Sequence, residues 1–153
     1  MIYYYFAESK EPLDREAINN GLAAHYSSWD YEGHDVHYYE DFVSQWNSIG
    51  TDVDDVYIFM HSNAEGFIMD PPEVVFNGFS QLGVSGIKGN VYLFCCHASG
   101  FAEKIANQTH TRVYATNSAV NYSYNVFTGK RYARRDYWDK FFNKNQWEVF
   151  DGR

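Results

Sequence analysis

Basic residues are in short supply: 12 lysines and arginines stand against 20 aspartates and glutamates, for a formal net charge of −8. That shortage argues against general nucleic-acid affinity, which rests on Lys and Arg neutralising phosphates. Cysteine is scarcer still. The two present, Cys95 and Cys96, are neighbours, and adjacent residues cannot form an ordinary disulfide without strained geometry. The chain is therefore no disulfide scaffold, and its free thiols point to a reducing compartment, the cytoplasm. No run approaches the ~20 apolar residues of a membrane helix, so no membrane partner is expected. The opening stretch from Met1 to Ala7 has no basic leader and is too polar for a secretion signal. Several site signatures are missing as well. No Cys-x-x-Cys or His-x-x-x-His spacing supports a metal centre. Ser62 and Ser99 lack a Gly-x-Ser-x-Gly setting. Gly83, Gly86 and Gly89 lack the spacing of a phosphate or dinucleotide loop, so no cofactor is expected.

Aromatic rings are what the chain has in quantity: 14 Tyr, 12 Phe and 4 Trp among 153 residues. A chain of this length fits one domain, residues 1–153, around one core. Tyr covers a core with its ring and keeps its hydroxyl in water, so a densely packed, half-buried shell is expected. Charge is unevenly spread. Residues 1–70 carry 14 acidic and 2 basic side chains, whereas Lys130, Arg131, Arg134, Arg135, Lys140 and Lys144 face only Asp136 and Asp139 in 130–144. That segment is either a solvated face paired with the acidic half or a patch for an acidic ligand. In the second case Arg131 and Arg134 are the candidate substrate contacts.

Residues 2–7 are β-branched and aromatic, which predicts a strand. Pro12 opens an amphipathic helix over 12–25, with Leu13, Ala17, Ile18 and Leu22 at near-helical spacing. Gly33 breaks the chain, and Val36-His37-Tyr38-Tyr39 reads as a short strand. Asp41 caps the next helix, with Phe42, Val43, Trp46 and Ile49 as its stripe and Gly50 as its end. Val56–Met60, Val91–Cys95 and Val113–Ala115 are continuous apolar runs, the mark of strands buried on both faces. His61–Gly66 reads as a loop, 66–69 as a hairpin piece, 71–83 as a region where Pro71-Pro72 can start a helix, 119–127 as a strand, and 146–150 as an edge strand. A helix begins at Ser99 or Gly100 and carries Phe101, Ala102, Ile105 and Ala106. Strands alternating with helices predict an α/β fold: a mostly parallel sheet with helices on both faces.

In such sheets ligands bind beyond the carboxyl ends of the strands. His61 follows one apolar strand and Cys96 another, which places both on one rim. A thiolate attacks a carbonyl when a base such as an imidazole takes its proton. The helix starting near Ser99 favours an anion close to its N-terminus, and the amides after Cys96 can face a developing oxyanion. Strand alternation separates the two thiols: Cys95 belongs to the strand and packs, Cys96 sits at the tip.

The runs Val56-Tyr57-Ile58-Phe59-Met60-His61, Val91-Tyr92-Leu93-Phe94-Cys95-Cys96-His97-Ala98-Ser99-Gly100, Phe101–Ala106 and Arg112-Val113-Tyr114-Ala115 resemble the caspase-like (clan CD) cysteine peptidases. The similarity is greatest to the compact bacterial caspase-fold domains found among polymorphic toxins. It covers residues 54–120 well and the rest by topology. In that family one hydrophobic strand ends in the catalytic His and a second in the catalytic Cys, followed by small residues and an Ala-rich helix. The resemblance implies a three-layer sandwich, a peptide or protein substrate, His61 as base and Cys96 as nucleophile, with Ser62 and His97 beside them. The family usually carries Gly beside the His, where its amide helps form the oxyanion hole; here the neighbours are Met60 and Ser62. The Gln-Ala-Cys-x-Gly signature of caspases proper is absent. Two functions stay open on the residues alone: a thiol hydrolase, or a non-catalytic caspase-fold module that binds a partner. The oligomeric state is open too, as is delivery as a toxin domain.

Overall fold

The protein is described by a computed structural model over residues 2–7, 23, 30–36, 38–69, 74–117, 122–124, 131–133 and 147–153; for 2–7, 74, 122–124 and 131–133 this means the backbone path. Its strands are β1 (Ile2–Ala7), β2 (Tyr31–Val36), β3 (Val56–Phe59), β4 (Phe67–Met69), β5 (Val74–Phe76), β6 (Asn90–Phe94), β7 (Arg112–Ala115), β8 (Tyr122–Tyr124), β9 (Arg131–Ala133) and β10 (Glu148–Asp151). Helix α1 runs over Tyr39–Asn47, α2 over Ser99–Thr109, and a 3₁₀ turn over Phe79–Gln81.

Six strands form one sheet in the order β10-β7-β6-β3-β1-β2. The neighbours from β2 to β7 run parallel, and β10 closes the edge antiparallel to β7. The fold is thus α/β with a mostly parallel sheet, and the three apolar runs lie side by side in it. Two small antiparallel pairs, β4–β5 and β8–β9, stand apart.

Period-two alternation makes the two faces of this sheet chemically different. One face carries Val56, Ile58, Val91, Leu93, Val113 and Ala115, continued by Met60 and Cys95, all buried in a single core. Both described helices join that core, α1 through Phe42 and Trp46 and α2 through Phe101, Ala102, Ile105 and Ala106. The opposite face is a ladder of rings. Register sets Tyr57 beside Tyr92 and Tyr92 beside Tyr114. Their rings stack at centroid separations of 4.8 and 5.0 Å. One step along, Phe59 stacks on Phe94 at 5.0 Å, and Trp147 closes on Phe94 at 5.8 Å. All of these rings are buried.

Where local elements depart from the sequence reading, cause can be assigned. The strand expected at 36–39 lies earlier, at Tyr31–Val36, and Gly33 sits inside it opposite Tyr4 rather than breaking the chain. Pairing with β1 supplies the ladder hydrogen bonds that glycine's own preference would not. Helix α1 starts at Tyr39, not after Asp41; the Asp41 carboxylate instead reaches back to accept the Tyr38 N–H at 3.2 Å, one half of a capping box. No helix begins in the described part of 71–83, which holds β5 and the 3₁₀ turn. The hairpin piece at 66–69 is β4, the strand sought in 119–127 includes β8, and the edge strand near the end is β10. The helix expected over 12–25 lies outside the described residues, apart from Ala23, which is helical.

Candidate active site at the carboxyl rim of the sheet

Strands β3 and β6 are direct parallel neighbours whose last register pair is Phe59 with Phe94. His61 and Cys96 each stand two residues beyond that pair, so the sheet delivers both to the same rim. The strand order reverses between β1 and β3, since β1 leads on to β2 in one direction and β3 to β6 in the other; His61 borders that point and Cys96 lies one strand beyond it. Such a reversal opens a crevice at the carboxyl ends of a parallel sheet. Both residues are half-buried.

The chain after β3 is held in a tight hairpin. The His61 carbonyl accepts the Ile68 N–H at 2.7 Å, and Asn63 N–H donates to the Gly66 carbonyl at 3.1 Å. The Asn63 side-chain oxygen accepts the amides of Glu65 and Gly66 at 2.8 and 3.2 Å, a local turn for which Asn is well suited. Gly66 is required by closeness, because a methyl there would overlap the Phe76 carbonyl of β5. Rings anchor the same hairpin from below: Phe67 packs edge-on against Phe101 of α2 at 5.1 Å and against Phe42 of α1 at 5.5 Å.

The chain after β6 turns sharply into α2. His97 has φ 56°, a left-handed conformation that costs energy in a residue with a Cβ. The other such residue among the described residues, His110, ends α2, where a left-handed cap is ordinary. His97 has no such excuse, since it precedes its helix. Three contacts hold the turn. The Ser62 hydroxyl, on a residue only 8% exposed, donates to the Cys96 carbonyl at 2.5 Å. On the other side His97 Nδ1 meets the Asn117 carbonyl at 2.5 Å, and Ser99 N–H donates to the Thr116 carbonyl at 3.0 Å. The turn is thereby tied to the loop after β3 and to the exit of β7. Gly100, in the first turn of α2, lies so near the His61–Gly66 loop that a methyl there would overlap the Ala64 carbonyl.

The two thiols differ as alternation predicts. Cys95 is fully buried and its Sγ–H points to the Ile58 carbonyl at 3.4 Å. Burial pushes the Cys95 thiol far above the ordinary thiol range, since a thiolate there would lose its hydration. Cys96 is partly open, and a partly open thiol is the one a substrate can reach.

The structure therefore brings His61, Ser62, Cys96 and His97 together at one rim. Arg131 lies in β9, where only the backbone path is described, and Arg134 lies outside the described residues, so the position of neither side chain relative to this rim is described. Among the described residues no cluster of three or more His, Cys, Asp or Glu side chains gathers to hold a metal ion, and no helix is long and apolar enough to cross a membrane. Sequence reading did not foresee Ser62 as a tether or Asn117 and Thr116 as anchors, because nothing short-range marks a hydroxyl that bonds a carbonyl 34 positions away. No family model, curated protein or solved structure matches the chain.

Proposed function

We propose that the protein is a thiol hydrolase of the caspase-like cysteine peptidase kind, acting on peptide or protein substrates in the cytoplasm or as a delivered toxin domain. Cys96 is the nucleophile and His61 the base that takes its proton and returns it to the leaving amine. The observation that carries this reading is the pairing of β3 with β6, which sets a His and a partly open Cys at equal distances past the same register pair. Burial of Cys95 in the core leaves Cys96 as the reactive thiol. Arg131 and Arg134 bias the site toward acidic peptides. The finer architecture belongs to the same proposal: a three-layer sandwich with helices on both faces. The right-handed rule for parallel crossovers supports it, because the step from β1 to β2 runs across the sheet opposite to the steps from β3 to β6 to β7.

The test is alkylation of the native protein by iodoacetamide across pH, with the labelled residue located by fragmentation mass spectrometry, beside hydrolysis of a fluorogenic peptide library. Cys96 should react faster at neutral pH than the thiol of a short unstructured peptide. His61→Ala should lower that rate, and Cys96→Ala should abolish hydrolysis while the circular dichroism spectrum is unchanged. Ordinary reactivity of Cys96, indifferent to His61→Ala, would hand the reading to the non-catalytic binding module.

A further inference from the structure

A peptide unit is planar and trans, so its C=O and the following N–H point in opposite directions. The Cys96 carbonyl and the His97 N–H belong to one such unit. Its carbonyl end is gripped from the loop after β3 by the buried Ser62 hydroxyl. The N–H end must then face away from Ser62. Among the described residues the His97 N–H meets no acceptor. It adjoins the Cys96 side chain in the chain, and the left-handed φ of His97 keeps this plane from relaxing into the helical run that follows.

We propose that Ser62 is a positioning residue: by holding the Cys96 carbonyl it aims the His97 N–H at the oxyanion that forms when Cys96 attacks a carbonyl. The inference rests on the Cys96–His61 reading and gives a purpose to its departure from the family pattern. A glycine next to the histidine would offer an amide but no hydroxyl. Here Ser62 stands in that place, and the donor moves to the Cys96 side of the rim. In the step concerned, the Cys96 sulfur bonds to the acyl carbon and the C=O π pair moves onto oxygen, and the His97 N–H donates a hydrogen bond to the resulting oxyanion. The thiol proton passes to His61. The pair then returns to re-form C=O as the leaving group departs with its bonding electrons, and an acyl-thioester remains.

Two probes separate this role from a structural one. p-Nitrophenyl acetate acylates a thiol through a tetrahedral oxyanion and releases p-nitrophenolate, whereas iodoacetamide alkylates it by displacement of iodide with no oxyanion. Both rates at Cys96 are measured in the native protein, in Ser62→Ala and in Ser62→Thr. Ser62→Ala should slow acylation about tenfold or more, below the ~100-fold or more typical when an oxyanion donor is deleted outright, and leave alkylation nearly unchanged. Ser62→Thr, which keeps the hydroxyl, should restore the ratio. An unchanged ratio in a folded Ser62→Ala, or an equal fall in both rates, would overturn the proposal. If Ser62→Ala does not fold, Ser62→Gly removes the same hydroxyl and is read the same way. Failure of the dyad reading shows elsewhere, as an alkylation rate indifferent to His61→Ala.

Discussion

The two faces of the central sheet are built from the same strands yet solve the packing problem differently. The face toward α1 and α2 is aliphatic and is filled by side chains arriving from outside the sheet. The other is aromatic, and its rings stack on one another along the register, from Tyr57 through Tyr92 to Tyr114. The first gains from shape-matched burial; the second adds ring–ring attraction between neighbours already set at the right spacing by the strands. Cys95 and Cys96 divide along this line. One continues the aliphatic face as a structural thiol, and the other leaves the sheet at its rim. Adjacent residues thus acquire different chemistry from nothing more than a period of two.

The comparison can be broken first at the ladder. Tyr57→Ala removes the ring that stacks with Tyr92 and lies 6.0 Å from Phe94. It should cost about 3–5 kcal/mol, the range for deleting a buried aromatic, while Tyr57→Phe should keep most of the stacking. Urea denaturation midpoints of the two variants check this, and equal losses would mean that the hydroxyl rather than the ring matters.

A smaller effect tests whether the rim is separable from both faces. Gly100→Ala forces the Ala64 carbonyl away and should cost about 1–3 kcal/mol, as overpacking does. It should also slow Cys96 alkylation, because the loop carrying His61 and Ser62 moves with Ala64. Unaltered alkylation with lowered stability would show that the loop tolerates the shift without disturbing the site.

The smallest effect sharpens the contrast between the thiols. Cys95→Ala should cost on the order of 1 kcal/mol and spare Cys96 reactivity. It should also change the response to alkali. The folded state holds Cys95 neutral, whereas the unfolded chain loses that proton above about pH 8.5. Stability from this group is therefore complete below about pH 8.5 and declines above it. Between pH 8 and 10 the native protein should lose stability more steeply than Cys95→Ala, measured by urea denaturation at each pH.

Much of this was legible beforehand, for identifiable reasons. Continuous apolar runs gave β3, β6 and β7, and their order relative to the helices gave parallel pairing. The same runs located the rim residues, because a strand's end is also its exit. Alternation told Cys95 from Cys96. Other features were set by partners distant in sequence. Gly33 reads as a breaker until β1 pairs with it. Asp41 reads as a cap residue, yet the capping acceptor is displaced by one turn. The ties from Ser62 to Cys96 and from His97 to Asn117 depend on the packing of loops, for which sequence carries no periodic signal.

The reversal of strand order has a kinetic consequence. β1 stands between β2 and β3, so its far edge stays open until Tyr3 meets Val56 across a long stretch of chain. β6 and β7 are closer in sequence, with Val91 opposite Val113. Loop-closure entropy falls hardest on the first of these pairings, and sheets dominated by non-local contacts refold in roughly milliseconds to seconds rather than microseconds. Refolding should therefore pass through the closing of β1 against β3 as a late event.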